Sequence, residues 1–209
     1  MQTNDDEADS RAHAKAQLER MAFFSDAVFA IAMTLLVIEV KLPHVTRFDD
    51  ASLGNALLSL VPSYVGFLIS FLVLARFWVS HHVVLGTLRA TNLRLLWANL
   101  LLLLAVAFMP FPTAVVAEFA QLRVGVGFYS AWLVLLGLLN QRIIRIGISD
   151  PDLHDPRSGA EALRPLLRAS WIPIVIGTLA FAAGIAFPFA GLAVLAIGSP
   201  IISYILRRR

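Results

Sequence analysis

The chain has 209 residues, of which 58% are hydrophobic and 15% are charged, and its mean hydropathy is +0.76. A soluble domain has roughly 45–50% apolar and about 25% charged residues, so this composition excludes an ordinary soluble protein and predicts an all-helical, polytopic membrane protein. The chain has no cysteine, which excludes disulfides and thiolate metal sites, and its net charge of +3 comes from basic residues at the ends of apolar segments, which argues against a nucleic-acid partner.

Six apolar segments meet or nearly meet the length of about 20 residues that a helix needs to cross a bilayer. Residues 1–19 are polar and contain no apolar core of a cleavable signal, so we expect them to form a cytoplasmic segment. Pro43 is expected to end the first span, and Pro110 and Pro112 to break the far end of the third. The expected spans are residues 20–42, 53–79, 93–116, 124–144, 169–187 and 189–206, followed by a basic tail at 207–209.

The distribution of basic residues predicts the orientation of these spans. If the N-terminus is cytoplasmic, most Lys and Arg residues fall on the cytoplasmic side, and the opposite loops keep only Lys41, Arg47 and Arg123. Short cytoplasmic loops are enriched in Lys and Arg. We therefore expect both termini to be cytoplasmic.

The first span begins with polar residues at a depth where they are costly. Asp26 lies six residues after Arg20, which is a poor separation for an ion pair within one helix, so a partner on another helix is expected. Two interpretations remain open: a buried interhelical hydrogen bond that holds the bundle, or a carboxylate that binds protons or cations in a transport path.

The same span has an apolar row formed by Ile31, Leu35, Ile38 and Leu42, which are four, three and four residues apart. This spacing puts the row on one helix face. Spacing alone leaves two interpretations, ordinary packing or the wall of a pore.

The second and third spans add polar groups at a similar depth. Trp78, His81 and His82 lie near the predicted cytoplasmic end of the second span, where His81 and Asp26 are within reach of each other. A carboxylate beside a histidine favours the charged imidazole, so pH sensing by either histidine stays open. Asn99 inside the third span is expected to bond across a helix interface.

Signals for an enzyme are missing. The sequence has no GxSxG motif, no phosphate-binding glycine loop and no HExxH spacing. We expect neither catalysis nor a bound metal or cofactor.

Arg20-Met-Ala-Phe-Phe-Ser25-Asp26, followed by Phe-Ala-Ile-Ala-x-Thr34-Leu35-Leu, resembles the first-helix signature of the transmembrane protein 175 family, the endosomal and lysosomal potassium channels with prokaryotic homologues. Trp78-x-x-His81-His82 and the region from Asn99 to Pro110-Phe-Pro-Thr are similar to the second and third helices of that family. The last three spans match only by pattern.

The resemblance implies a homotetramer with the first helix of each chain lining a central pore. It implies a constriction at Ile31, Leu35 and Ile38, with the Thr34 hydroxyl close to it. It also implies that ions are not touched by an interhelical polar network whose members in this chain are Arg20, Ser25, Asp26, Trp78, His81 and Asn99.

The chain has no Thr-Val-Gly-Tyr-Gly filter, so selectivity by rings of backbone carbonyls is excluded. We therefore expect a potassium-permeable, weakly selective cation channel in a prokaryotic inner membrane, with Glu39 as a candidate for the outer mouth. The alternatives are a proton- or cation-coupled secondary transporter that uses Asp26 and His81, and a membrane protein with a purely structural role.

Overall fold

The fold is that of a computed structural model, which describes residues 2–154 and 160–196. Within these residues the chain is helical, with a single isolated bridge between Leu88 and His154 and no longer strand pairing. The helices are α1 (Gln2–Leu35), α2 (Asp50–Ser59), α3 (Val61–Gly86), α4 (Leu93–Ala107), α5 (Pro110–Glu118), α6 (Arg123–Ser149), α7 (Arg164–Ala169), α8 (Trp171–Ala186) and α9, described over 188–196. Short 3-10 helices cover Leu36–Glu39, Pro151–Leu153 and Ala160–Leu163.

Five helical stretches in the described part of the chain are long and apolar enough to cross a membrane: Ala12–Glu39, Val61–Gly86, Leu93–Glu118, Arg123–Ser149 and Arg164–Ala186. They correspond to the first five predicted spans, and the protein is a multi-pass membrane protein. The sixth predicted span begins within α9, while its residues 197–206 and the tail at 207–209 lie outside the described residues.

The first two spans differ from their predicted limits. α1 begins at Gln2, so the polar segment predicted to precede the first span is part of the same helix, and α-helical geometry ends at Leu35 rather than at Pro43. The segment predicted as the start of the second span is instead the separate helix α2. The carboxylate of Asp49 accepts a hydrogen bond from the Ser52 amide at 2.7 Å, which begins α2 and lowers the pKa of Asp49.

The remaining limits reflect proline and packing. α3 begins at Val61 because Pro62 fits the first turn of a helix, where its missing amide costs nothing, and the second span therefore extends to Gly86. The third span divides at Phe108 and Met109 into α4 and α5, since Pro110 and Pro112 begin a new helix instead of ending the span.

α6 is the central helix of the bundle and contacts α4, α5 and α8. Its approach to α8 depends on glycine. A Cβ on Gly177 would lie 2.7 Å from Val134 Cγ2 and 3.0 Å from the Ser130 carbonyl oxygen, and one on Gly137 would lie 2.7 Å from Ile174 Cγ1. Small residues at such interfaces let helix backbones come close in a membrane. α1 packs on the other side of the bundle, against α3 and α4.

Candidate functional site

The two faces of α1 differ sharply in burial. Phe29, Ala32 and Leu36 are at most 1% exposed and pack into the subunit. On the opposite face, Ile31 is 58% and Leu35 is 40% exposed. A helix that buries one face within its subunit and leaves an apolar stripe on the other must place that stripe against lipid, another subunit or a pore.

The apolar row continues through the change from α-helix to 3-10 helix. Ile38 lies in the 3-10 segment and is 66% exposed. Residues three apart eclipse each other in a 3-10 helix, so Ile38 stays in line with Leu35. The exposed Thr34 donates its hydroxyl to the Ile31 carbonyl oxygen at 2.8 Å, and its oxygen remains available as an acceptor on the same side of the helix.

Glu39 ends the 3-10 segment and is half-buried. It immediately follows Ile38, and neighbouring residues of a 3-10 helix point about 120° apart. Its side chain therefore leaves the helix in a different direction from the exposed apolar row.

Below the row, polar side chains join three helices. Asn99 on α4 donates from Nδ2 to Ser25 Oγ on α1 at 3.0 Å, and its Oδ1 accepts from His81 Nε2 on α3 at 2.7 Å. Ser25 in turn donates to the Met21 carbonyl oxygen at 2.8 Å. Ser25, His81 and Asn99 are at most 1% exposed, so these bonds are shielded from water.

A second bond joins α1 and α3 at the same level. Trp78 Nε1 donates to Asp26 Oδ1 at 2.8 Å. The exposed His82 stacks against the Trp78 ring, with the ring centroids 5.6 Å apart. The structure thus brings together five of the six residues predicted for the polar network, in two groups: Ser25, His81 and Asn99, and Asp26 with Trp78.

Arg20 is the sixth predicted member, and it stands apart. Its side chain is exposed, and in the described part of the chain no hydrogen bond or ion pair joins it to Ser25 or Asp26. The separation of six residues along the helix accounts for this, because it turns Arg20 away from Asp26.

A cavity of about 290 Å³ lies between α1 and α3 beside these groups. Asp26, His81 and His82 line it together with Lys15 and Glu19. Asp26 and His81 therefore face one space, although no hydrogen bond joins them within the described chain. The described residues contain no group of three or more His, Asp or Glu residues suited to hold a metal ion.

Sequence reasoning missed a second buried polar cluster. Thr113 on α5 donates to Ser70 Oγ on α3 at 2.8 Å, and Ser70 Oγ lies 3.0 Å from the Tyr129 hydroxyl on α6. All three side chains are at most 1% exposed. The available signal was the presence of polar residues within apolar spans, which in a membrane usually bond across helix interfaces. This cluster holds α5, which packs against the 3-10 segment that carries Ile38.

Comparison with known proteins gives a consistent result. Residues 20–110 match the family described as "Endosomal/lysosomal potassium channel TMEM175". The chain is 36% identical to "Potassium channel B446_29190" of Streptomyces collinus over 86% of this chain and 87% of that one. It is 39% identical to "Potassium channel Cha6605_3372" of Chamaesiphon minutus over 62% of this chain and 65% of the relative.

The fold has a solved counterpart. The crystal structure of "a lysosomal potassium-selective channel TMEM175 homolog" from Chamaesiphon minutus matches with a TM-score of 0.79 and 30% identity, covering 92% of this chain and 98% of that one. The likeness thus extends beyond the first three spans to nearly the whole fold.

Proposed function

The chain belongs to the TMEM175 family, and on that premise we propose that it is a potassium-permeable, weakly selective cation channel whose constriction is formed by apolar side chains of α1. The observation that carries the proposal is the exposed row of Ile31, Leu35 and Ile38 on a helix whose other face is buried. The relatives named as potassium channels support the choice of permeant ion.

The burial of the spans supports the assignment of α1 to the pore. In its most apolar stretch 28% of the residues are buried within the subunit, the lowest share among the five candidate spans, whereas α6 reaches 50%. A helix with so few intramolecular contacts has its largest surface available for a neighbouring copy. In the proposed homotetramer four copies of α1 surround a central axis and turn their apolar rows toward it.

An apolar ring of this kind would control conduction by wetting and drying. A narrow hydrophobic constriction excludes water unless it widens, and an ion that crosses it loses part of its hydration with little replacement. Potassium gives up hydration water more readily than sodium, so weak preference for potassium is expected without any carbonyl filter. A ring of Thr34 hydroxyl oxygens beside the apolar side chains would add weak coordination.

The buried polar network would then position the pore helix. Ser25 and Asp26 on α1 are held by Asn99 and Trp78, respectively, on the helices behind it. Because these bonds lie on the buried side of α1, they fix its rotation and keep the apolar row facing outward from the subunit. In this proposal the network binds no ion.

We further propose a prokaryotic inner membrane with both termini cytoplasmic. The support is the excess of Arg at the end of the bundle where α3 and α6 finish and α4 and α7 begin: Arg89, Arg94, Arg142, Arg145, Arg164 and Arg168. Cytoplasmic loops carry such an excess.

One observation favours a second candidate function, a proton- or cation-coupled transporter. Asp26 and His81 line the same cavity between α1 and α3. A carboxylate and an imidazole facing one space are groups that proton-coupled carriers use. Against this, Asp26 and His81 already have Trp78 and Asn99 as partners, which suits a structural role better.

Ion flux into liposomes that contain the purified protein tests the proposal. Under a potassium gradient and then a sodium gradient, a channel gives passive flux down each gradient, with faster flux for potassium. Flux that requires a proton gradient would support the transporter. Absence of flux in open-state controls, such as a variant with a wetted constriction, would leave a structural protein.

A further inference from the structure

A second cavity, of about 220 Å³, lies on the far side of α3 from the α1 interface. α3, α6, α7 and α8 supply its walls, and none of the residues of the proposed pore row takes part. It is partly open on the side where the exposed residues Arg76 and Val79 stand. We call it the α3–α6–α8 cavity.

The residues of this cavity are sorted along its length. Arg76, Ser80, Asn140 and Ser170 line the end toward α7, whereas Ile69, Val73, Leu133 and Ile176 line the end toward the middle of the spans. Ile69 and Ser80 are eleven positions apart on one helix, which corresponds to about 16 Å. A cavity with one polar end and one apolar end fits a ligand that is itself amphipathic.

The polar end contains an acceptor without a partner. Asn140 is 2% exposed and donates from Nδ2 to Ser80 Oγ at 3.3 Å. Its Oδ1 has no hydrogen-bond partner among the described residues. A buried amide oxygen that lacks a donor is costly, and a hydroxyl group on a bound ligand would satisfy it.

The charge at this end is positive. Arg76 lines the cavity, and its place inside an apolar span makes it costly unless it serves a function. Arg164 and Arg168 are exposed on α7, whose residues Leu166 and Ala169 also line the cavity. Basic pockets between membrane helices on the cytoplasmic side attract anionic lipid headgroups.

We propose that the α3–α6–α8 cavity binds an anionic phospholipid with a hydroxylated headgroup, of the phosphatidylglycerol type. The phosphate lies near Arg76, a headgroup hydroxyl donates to Asn140 Oδ1, and part of one acyl chain occupies the space lined by Val73, Leu133 and Ile176. The site is separate from the proposed pore and does not depend on ion conduction.

Native mass spectrometry of the purified full-length protein tests this directly. The protein is delipidated in detergent and then mixed with phosphatidylglycerol or phosphatidylcholine of matched acyl chains. We expect retained phosphatidylglycerol and little phosphatidylcholine. Arg76→Gln should reduce retention about fivefold, the effect of about one basic residue near an anionic headgroup.

Two further variants make the result specific. Arg94→Gln removes an exposed arginine at the same end of the bundle but outside the cavity, and it should retain lipid as the unchanged protein does. Ala169→Phe fills the cavity wall without changing charge, and it should lose retention even if Arg76→Gln fails to fold.

Equal retention of both lipids, equal loss in Arg76→Gln and Arg94→Gln, or full retention in a folded Ala169→Phe variant would each overturn the proposal. Because the readout is bound lipid and not ion flux, these results are independent of whether the protein conducts.

Discussion

Trp78 Nε1 donates a 2.8 Å hydrogen bond to Asp26 Oδ1 and thereby ties the carboxylate of α1 to α3. Both side chains are only half-buried, and His82 stacks on the outer face of the indole. The bond accounts for how a carboxylate is tolerated at the start of an apolar span, since a carboxylate at membrane depth needs a donor or water.

Trp78→Phe should therefore destabilise the protein. The variant keeps the ring and its stacking on His82 but removes the donor, and a hydrogen bond to a charged group contributes about 1.5–3 kcal/mol. The midpoint of thermal unfolding in detergent should fall. Trp97→Phe is the matched control because Trp97 is 60% exposed and makes no hydrogen bond among the described residues. Equal midpoints for the two variants would contradict this account.

Asn99→Leu should be more damaging than any single loss at the surface. Asn99 bonds to both Ser25 and His81, so the substitution leaves two buried polar groups without partners, at about 1–3 kcal/mol each. The tetramer should dissociate at a lower temperature, as followed by size-exclusion chromatography after heating. Asn55→Leu in α2, where the side chain is exposed, serves as the control. If both variants keep their oligomer equally well, Asn99 does not hold α1 in place.

Thr113→Val and Tyr129→Phe should not be additive. Both side chains bond to the single Ser70 hydroxyl, so the loss of one partner changes the value of the other. Each substitution is expected to cost about 0.6–1.7 kcal/mol, the range of polar bonds between membrane helices. Unfolding of the two single variants and the double variant in detergent measures the coupling. A double variant whose loss equals the sum of the two would argue against a shared cluster.

Gly177→Ala should destabilise the α6–α8 interface by about 1–3 kcal/mol, the usual cost of overpacking. The new Cβ would lie 2.7 Å from Val134 Cγ2 and 3.0 Å from a backbone oxygen that has little room to move. Gly54→Ala is the opposite case, because nothing lies within 4 Å of a Cβ there and alanine favours helix α2. Thermal unfolding should separate the two variants in sign, and a shift in the same direction for both would refute the packing argument.

The sequence was most informative where periodicity and chemistry coincide. The spacing of Ile31, Leu35 and Ile38 predicted a common face, and these residues do lie on the exposed side of α1. The poor register of Asp26 with Arg20 predicted a partner on another helix, and that partner is Trp78. Whether the exposed face meets a pore is a matter of assembly, which the fold of one subunit does not contain.

Other features depended on contacts that no local pattern encodes. Pro62 fits the interior of a long apolar run equally well on hydropathy, so the start of α3 at Val61 and the independence of α2 were missed. Arg20 belongs to the signature by sequence, yet its side chain lies outside the network because helix geometry turns it away. Ser70, Thr113 and Tyr129 are distant in sequence, and only the packing of three helices brings them together.

Wetting the apolar row should change selectivity. Ile31→Asn introduces a polar group into the proposed constriction, which lowers the barrier to hydrated sodium. Sodium flux into liposomes should rise relative to potassium flux. Leu104→Asn on α4, at a position 67% exposed but outside the row, is the control and should leave the ratio unchanged. An unchanged ratio in folded Ile31→Asn would remove Ile31 from the pore.

Chemical accessibility of the α1 face tests the central claim most directly. The chain has no cysteine, so Leu35→Cys and Leu104→Cys each introduce a single thiol at an exposed position of the subunit. A charged thiosulfonate reagent, added to liposomes during potassium flux, reacts with thiols that face water far faster than with thiols in hydrocarbon. The account predicts that the reagent blocks flux through Leu35→Cys and leaves Leu104→Cys unaffected. Unimpaired flux in a Leu35→Cys variant shown to be labelled, or equal block of both variants, would contradict a pore lined by α1.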